Sequence, residues 1–404
     1  MTRIATSWLV YRLTDSPVLL GIVSFAGQVP TFIFAPFAGV WVDRLNRHRV
    51  LVVTQTLAML QSFGLAVLAL LHIINVWEIL ALQAFQGLIN AFDTPARQAF
   101  VIQMVEDKED LSSAIALNSS MVNMARLIGP SVAGVIIAAV GEGYCFLIDG
   151  FSYLAVIASL LAMTVVPQQV ESRKQSALQQ LKEGWNYVSR FIPIRWVLML
   201  LALMSLMGMP YTVLMPIFAG SILHGGAHTL GFLMGVAGIG ALIGAFSLAI
   251  RKSVLGLGKI IPIAAGSFGV TLIAFANSRN LWLSMALMLP VGFGMMTQMA
   301  SSNTILQTIV EDDKRGRVMS YYTMAVMGMT PFGSLMAGLV AAKIGAPATL
   351  TITGLCCVCG ALTFTVKLPE IRRLVRPIYE GLGIIPEIAA GLRDASALQS
   401  PPED

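Results

Sequence analysis

Apolar runs of about twenty residues recur along the whole chain, with short polar gaps between them. A helix needs about 20 apolar residues to cross a hydrocarbon core of about 30 Å. A barrel strand would need about 10 residues in strict alternation, and the runs do not alternate in that way. Inside a bilayer a crossing segment must satisfy its own backbone polar groups, which leaves helices. The charge content agrees: 12% of residues are charged and 56% hydrophobic, against about 25% charged in soluble domains. The expected class is an all-α, multi-pass membrane protein.

The runs give twelve spans, at 2–13, 18–41, 50–73, 77–103, 112–139, 144–166, 195–222, 229–250, 260–276, 281–306, 318–342 and 347–367. Span 1 is too short to cross the core, so either helix 1 is truncated at Met1 or the true start lies upstream, and the expectation is missing upstream residues. Of the 26 Lys and Arg residues, 21 fall in the even-numbered gaps, at the span ends beside them or in the tail. Arg12, Arg279 and Lys343 fall on the other side. The positive-inside rule puts the basic side, and both termini, in the cytoplasm. The net charge of +5 therefore has a topological meaning and does not point to nucleic acid. The four cysteines sit inside apolar runs, where cysteine behaves as a small hydrophobe.

The segment 167–194 divides two halves of six helices, 1–166 and 195–367, and the tail covers 368–404. Within the divider, Leu178, Leu181, Trp185, Val188 and Ile192 recur at helical spacing between charges. They suit either an amphipathic helix on the inner leaflet or an ordinary linker helix. The tail begins basic and ends in Ser-Pro-Pro-Glu-Asp, a disordered composition. The halves echo each other. Gln103 and Gln307 are 204 residues apart, as are Ala133-Gly134 and Ala337-Gly338. Duplicated halves around a central site are a transporter plan.

The densest charge in the first ninety residues is Gly39-Val-Trp-Val-Asp-Arg-Leu-Asn-Arg-His-Arg, residues 39–49, between spans 2 and 3. It resembles motif A of the major facilitator superfamily, Gly-x-x-x-Asp-Arg-x-x-Arg, filled by Gly39, Asp43, Arg44 and Arg47. Asn46 stands where Gly is usual, a mild departure because Asn tolerates left-handed backbone. The segments Trp8–Thr14, 92–100 and 125–134 are similar to those of the drug-efflux and siderophore-exporter branch. Span 5 also resembles the antiporter motif C, in a degenerate form through Gly129, Pro130 and Gly134. The resemblance implies the major facilitator fold and export of a small molecule by alternating access. It also implies a cytoplasmic latch in which Asp93 joins Asp43 and Arg47. Arg44 and Arg97 are placed with that latch. The alternative is static neutralisation of buried charge.

Charge inside a span costs about 2.5–3.5 kcal/mol on insertion scales, so such residues face a cavity or a partner. Gln83, Gln86, Asn90, Asp93 and Arg97 follow helical steps of three and four along one stripe of span 4. Arg126 sits near the middle of span 5 with Asn123 one turn before it, and Asp149 lies in span 6. Span 10 offers Gln298 and Ser301. These residues are the candidate substrate and proton cavity. All of the ionisable ones lie in the first half, where proton coupling is therefore expected.

Other signals point to packing. The glycines from Gly235 to Gly244 lie within span 8 without a preceding strand, so close helix contact outweighs a dinucleotide loop. His224 and His228 lack further ligands for a metal. The chain has no Gly-x-x-x-x-Gly-Lys-Ser/Thr loop for ATP. No cofactor, metal or nucleic-acid partner is expected. The expected partners are a small-molecule substrate, protons and the lipid bilayer, with the chain acting as a monomer in a bacterial cytoplasmic membrane. The rivals are an importer on the same fold, a membrane-embedded lipid-modifying enzyme and a sensor without flux. The enzyme would need an acid, base or nucleophile at the membrane surface, and none of the four histidines lies deep in a span.

Overall fold

The structure is a computed structural model that describes residues 1–104, 111–163, 177–251, 253–382 and 384. The side chains of Asp43, Arg44, Asn123 and Arg126 also lie outside the described part. The described chain is helical. The first half comprises α1 (Thr2–Thr14), α2 (Pro17–Arg44), α3 (Arg47–Leu70), α4 (Val76–Gln103), α5 (Leu111–Val140) and α6 (Glu142–Ala162). The connecting segment carries α7 (Ala177–Arg190). The second half comprises α8 (Ile192–Leu203), α9 (Tyr211–Ile217), α10 (Ala227–Ala249), α11 (Leu257–Asn277), α12 (Leu281–Ile309), α13 (Asp312–Thr323), α14 (Met329–Ile344) and α15 (Ala346–Gly381). Among the described residues, nine helices are long and apolar enough to cross a membrane. Helices α1, α4 and α5 occupy the places of the other three expected spans.

Local chemistry starts the helices at the end opposite the basic gaps. Ser16 caps α2 and Pro17 follows at its first position, where the missing N–H is no loss. Asn75 and Glu78 form a reciprocal capping box on α4. The Asn280 side chain accepts from Trp282 and Leu283 at the start of α12. Gly141 and Gly345, at φ of +91° and +84°, turn the chain into α6 and α15 in a conformation that disfavours other residues.

Spans 7 and 11 are irregular. One-turn π-helical segments occupy Met204–Gly208 and Phe218–Ile222 around α9, and Met324–Gly328 between α13 and α14. Such segments, like the prolines Pro210 and Pro216, interrupt the regular hydrogen-bond ladder. The Met204–Gly208 and Met324–Gly328 segments touch each other.

The halves meet along two seams of glycine, α5 on α10 and α2 on α14. A Cβ at Gly134 would lie 2.7 Å from the Gly231 Cα and 2.8 Å from the Ala227 carbonyl. A Cβ at Gly338 would lie 2.6 Å from the Pro17 carbonyl and 3.0 Å from the Gly21 Cα. Gly134 and Gly338 are the two ends of the 204-residue echo, so the repeat occupies matching places in the two seams. Both seams lie toward the end opposite the basic gaps. At that end Tyr11 on α1 also reaches Ser221, their oxygens 2.6 Å apart.

Two sequence readings need correction. Asn46 is not left-handed: its φ of −69° and ψ of 108° are extended, and its Oδ1 accepts from the Arg49 N–H as the cap of α3. The chemistry of a helix start, not tolerance of positive φ, explains Asn there. The tail is not disordered from Leu368, because α15 runs on to Gly381. Leu368, Ile371 and Val375 are buried one helical turn apart, and Pro369 and Pro377 hide that periodicity in the sequence. Residues 385–404 lie outside the described part.

Candidate functional site

The polar stripe of α4 meets α1 and α3. Gln83 Nε2 donates to Thr6 Oγ1 at 3.0 Å, and Gln86 Nε2 donates to Asn90 Oδ1 at 3.2 Å. Asp93 is 5% exposed. Its Oδ1 accepts from Thr54 Oγ1 at 2.9 Å and from Gln55 Nε2 at 2.6 Å, and its Oδ2 accepts from Arg97 one turn further along α4. Arg97 keeps a 59% exposed side chain while the acid is enclosed. Asp93 is thus held by a hydroxyl and an amide from α3 and by a guanidinium from its own helix.

Asp149 on α6 has a different environment. Its Oδ2 accepts from Thr2 Oγ1 at 2.6 Å and from Ser62 Oγ at 3.1 Å. A hydroxyl donates to a carboxylate, or turns and accepts from a carboxylic acid. An Arg guanidinium or an amide NH₂ can only donate. So the Asp149 partners can both donate and accept, whereas the Arg97 guanidinium at Asp93 can only donate.

Sequence reasoning missed the residues on α3 that hold both acids. Thr54, Gln55, Gln61 and Ser62 are all buried. The signal is legible in retrospect: the pairs Thr54-Gln55 and Gln61-Ser62 repeat at seven residues inside an apolar run. Gln61 Nε2 donates to the Leu82 carbonyl on α4 at 3.3 Å. Thr2 and Thr6, one turn apart on α1, were missed as well.

The other candidates are distributed unevenly. Gln298 and Ser301 are wholly buried within the second half. Gln298 Nε2 meets Ser302 Oγ at 3.4 Å, and Gln298 Oε1 and Ser301 Oγ have no partner among the described residues. No described hydrogen bond joins them to the polar groups of the first half. Arg47 opens α3 directly after the Asn46 cap, and Asp43 lies in the last turn of α2. In the motif of α5, Pro130 and Gly134 face α10, while a Cβ at Gly129 would enter open space. Gly240 and Gly244 press on the α12 backbone, so the glycines of span 8 serve helix packing.

An all-helical chain of membrane-length apolar helices, with acids and amides buried between them, is a multi-pass membrane transporter of the major facilitator type. The fold resembles that of a mutant of the nucleoside transporter NupG, with a TM-score of 0.71, 13% identity, 90% of this chain covered and 94% of that one. It also resembles a bacterial homologue of the human lysosomal transporter Spinster, with a TM-score of 0.67, 15% identity and coverages of 92% and 95%. The chain belongs to the transmembrane secretion effector family, in the drug-efflux and siderophore-exporter branch of that superfamily; the family's profile matches residues 1–377. Among its relatives is the staphyloferrin A transporter of Staphylococcus aureus, 27% identical over 371 residues with 90% of each chain covered. The multidrug efflux pump Tap of Mycolicibacterium fortuitum is 25% identical, with 93% of each covered. Macrolide efflux protein A of Streptococcus pyogenes is 24% identical, with 92% of each covered.

Proposed function

We propose that this protein exports a small amphipathic molecule, a siderophore or a drug, by alternating access coupled to proton entry. It works as a monomer in a bacterial cytoplasmic membrane with both termini in the cytoplasm. The relatives support export, and the basic gaps support the orientation. With that orientation the glycine seams close the outer face, which supports reading this state as inward-facing.

The observation that carries the coupling is the contrast between the two acids. Asp93, held by Thr54, Gln55 and Arg97, acts with Asp43, Arg44, Arg47 and Arg97 as the inner latch, which Gly39 allows to close. Asp149 is the proton carrier, because Thr2 and Ser62 accommodate both of its forms. Arg126 and Asn123 receive the anionic or polar end of the substrate, and Gln83, Gln86 and Asn90 line the path. Gln298 Oε1 and Ser301 Oγ, buried without partners among the described residues, complete the cavity when the second half tilts.

The test uses inside-out vesicles with an imposed acid interior and a panel of staphyloferrin-type siderophores and macrolides. Uptake that an uncoupler abolishes is the expected result. Uptake indifferent to the pH gradient would remove the coupling, and loss of preloaded substrate instead of uptake would make the protein an importer.

A further inference from the structure

Helices α11 and α15 lie side by side and antiparallel along their length. Gly269 meets the Gly354 carbonyl near one end, and Gly258 meets Leu368 Cδ1 at the other. The last contact puts the first turn of α11 level with Leu368 of α15. Each helix shows an outward apolar stripe at steps of four and seven residues. On α11 it runs through Ile263 and Val270, 68% and 56% exposed. On α15 it runs through Leu362 and Val366, 61% and 76% exposed.

Both stripes end in cations at the same end of the seam. Lys259 is exposed one turn before Ile263, and Arg373 is exposed seven residues beyond Val366, with Arg372 beside it. The neighbouring cations are already engaged. Lys367 pairs with Glu370 at 3.3 Å, Arg376 pairs with Glu380 at 2.9 Å, and the Arg251 guanidinium donates to the carbonyls of Ser253 and Leu255 in its own turn. Lys259, Arg372 and Arg373 have no acidic partner among the described residues. A straight helix of 36 residues is about 54 Å long, against a core of about 30 Å. So α15 carries its arginines past the acyl chains to the level of the headgroups.

We propose that the α11–α15 seam is a binding site for an anionic phospholipid. Its acyl chain lies along Ile263 and Val366, and its phosphate is held by Lys259, Arg372 and Arg373. Apolar surface that ends in unpaired cations matches an amphiphile with an anionic head. A soluble acidic partner would leave the apolar stripe unused. The lipid holds the second half at its outer flank, away from both seams between the halves, so it can stay bound while the halves rock. That it sits in the inner leaflet rests on the orientation proposed above, but binding itself does not.

The experiment uses the full chain in detergent micelles, where neither orientation nor transport enters. Thermal midpoints are read with added palmitoyl-oleoyl phosphatidylglycerol or with phosphatidylcholine of the same chains, and bound lipid is counted by native mass spectrometry. Phosphatidylglycerol is expected to raise the midpoint above phosphatidylcholine. The Lys259→Gln/Arg372→Gln/Arg373→Gln protein should lose that difference, with a drop of about tenfold or more in phosphatidylglycerol affinity, while its midpoint in phosphatidylcholine is unchanged. The pair Arg372→Gln/Arg373→Gln gives the same readout if the triple variant folds poorly. An unchanged preference in these variants overturns the site. So does an equal loss in Lys367→Gln/Arg376→Gln, which would make total charge responsible. Glycerol phosphate reproducing the increment would reassign the site to a free anion.

Discussion

Replacing Gly134 by alanine should unseal the end of the protein that lies away from the basic gaps. The new Cβ would stand 2.7 Å from the Gly231 Cα, whereas carbon atoms rest about 3.5–4.0 Å apart. Neither atom is at the end of a flexible side chain, so α5 and α10 must separate by about 1 Å. Overfilling a close contact of this kind costs about 1–3 kcal/mol. Only the sealed state bears the cost, so the equilibrium shifts toward the opened state by about 5- to 150-fold. The reporter is Ala227→Cys, because Ala227 is 4% exposed at the seam and its carbonyl faces Gly134. The four native cysteines are first replaced, and a membrane-impermeant maleimide is applied to intact cells. Labelling should accelerate at least fivefold in Gly134→Ala. The control is Gly129→Ala on the same helix, whose Cβ would enter open space, and it should label like the parent. Equal rates for the two alanine variants would refute the reasoning, because the effect would then come from α5 generally and not from the seam.

Asp149→Asn should abolish proton-driven accumulation in vesicles yet keep substrate binding and downhill exchange; normal accumulation would move the carrier to another residue. Asp43→Asn should insert normally, transport poorly and label faster at cysteines reached from the basic side; no change in flux and labelling would return residues 39–49 to a solvated loop. Asn46→Ala should lower the thermal midpoint, since losing a helix cap costs about 1 kcal/mol; Asn46→Asp should restore it, and Asn46→Ala matching the parent would remove the cap from the account.

Nine of the expected spans were legible among the described residues, because burial in lipid leaves a run of about twenty apolar residues whatever the helix touches. The seams were legible only in part. The repeated Ala-Gly pairs marked equivalent places, but which helix each glycine meets depends on the arrangement of the halves. The α4 stripe was visible because Gln83, Gln86, Asn90 and Asp93 step evenly along one helix. Its partners on α3 were not, because Thr54 and Ser62 look like ordinary small residues until an acid from another helix reaches them. The extension of α15 was obscured by Pro369 and Pro377, which sequence reasoning treats as helix ends, although Leu368, Ile371 and Val375 bury one face across them.

Helix α3 touches both acids, through Thr54 and Gln55 at one level and through Ser62 at another. Eight residues of helix separate Thr54 from Ser62, about 12 Å along the axis. Hydrogen bonds tolerate only a few tenths of an ångström before they weaken. A lengthwise slide or a turn of α3 as a stiff rod therefore cannot loosen the grip on one carboxylate without disturbing the other. Any axial shift of α3 at the level of Ser62 therefore reaches Thr54 and Gln55 mechanically, with no charge passing between the two acids. In the proposed cycle α3 is a pushrod between Asp149, the proposed proton carrier, and Asp93, the proposed latch, and its stiffness sets how closely the state of one follows the other.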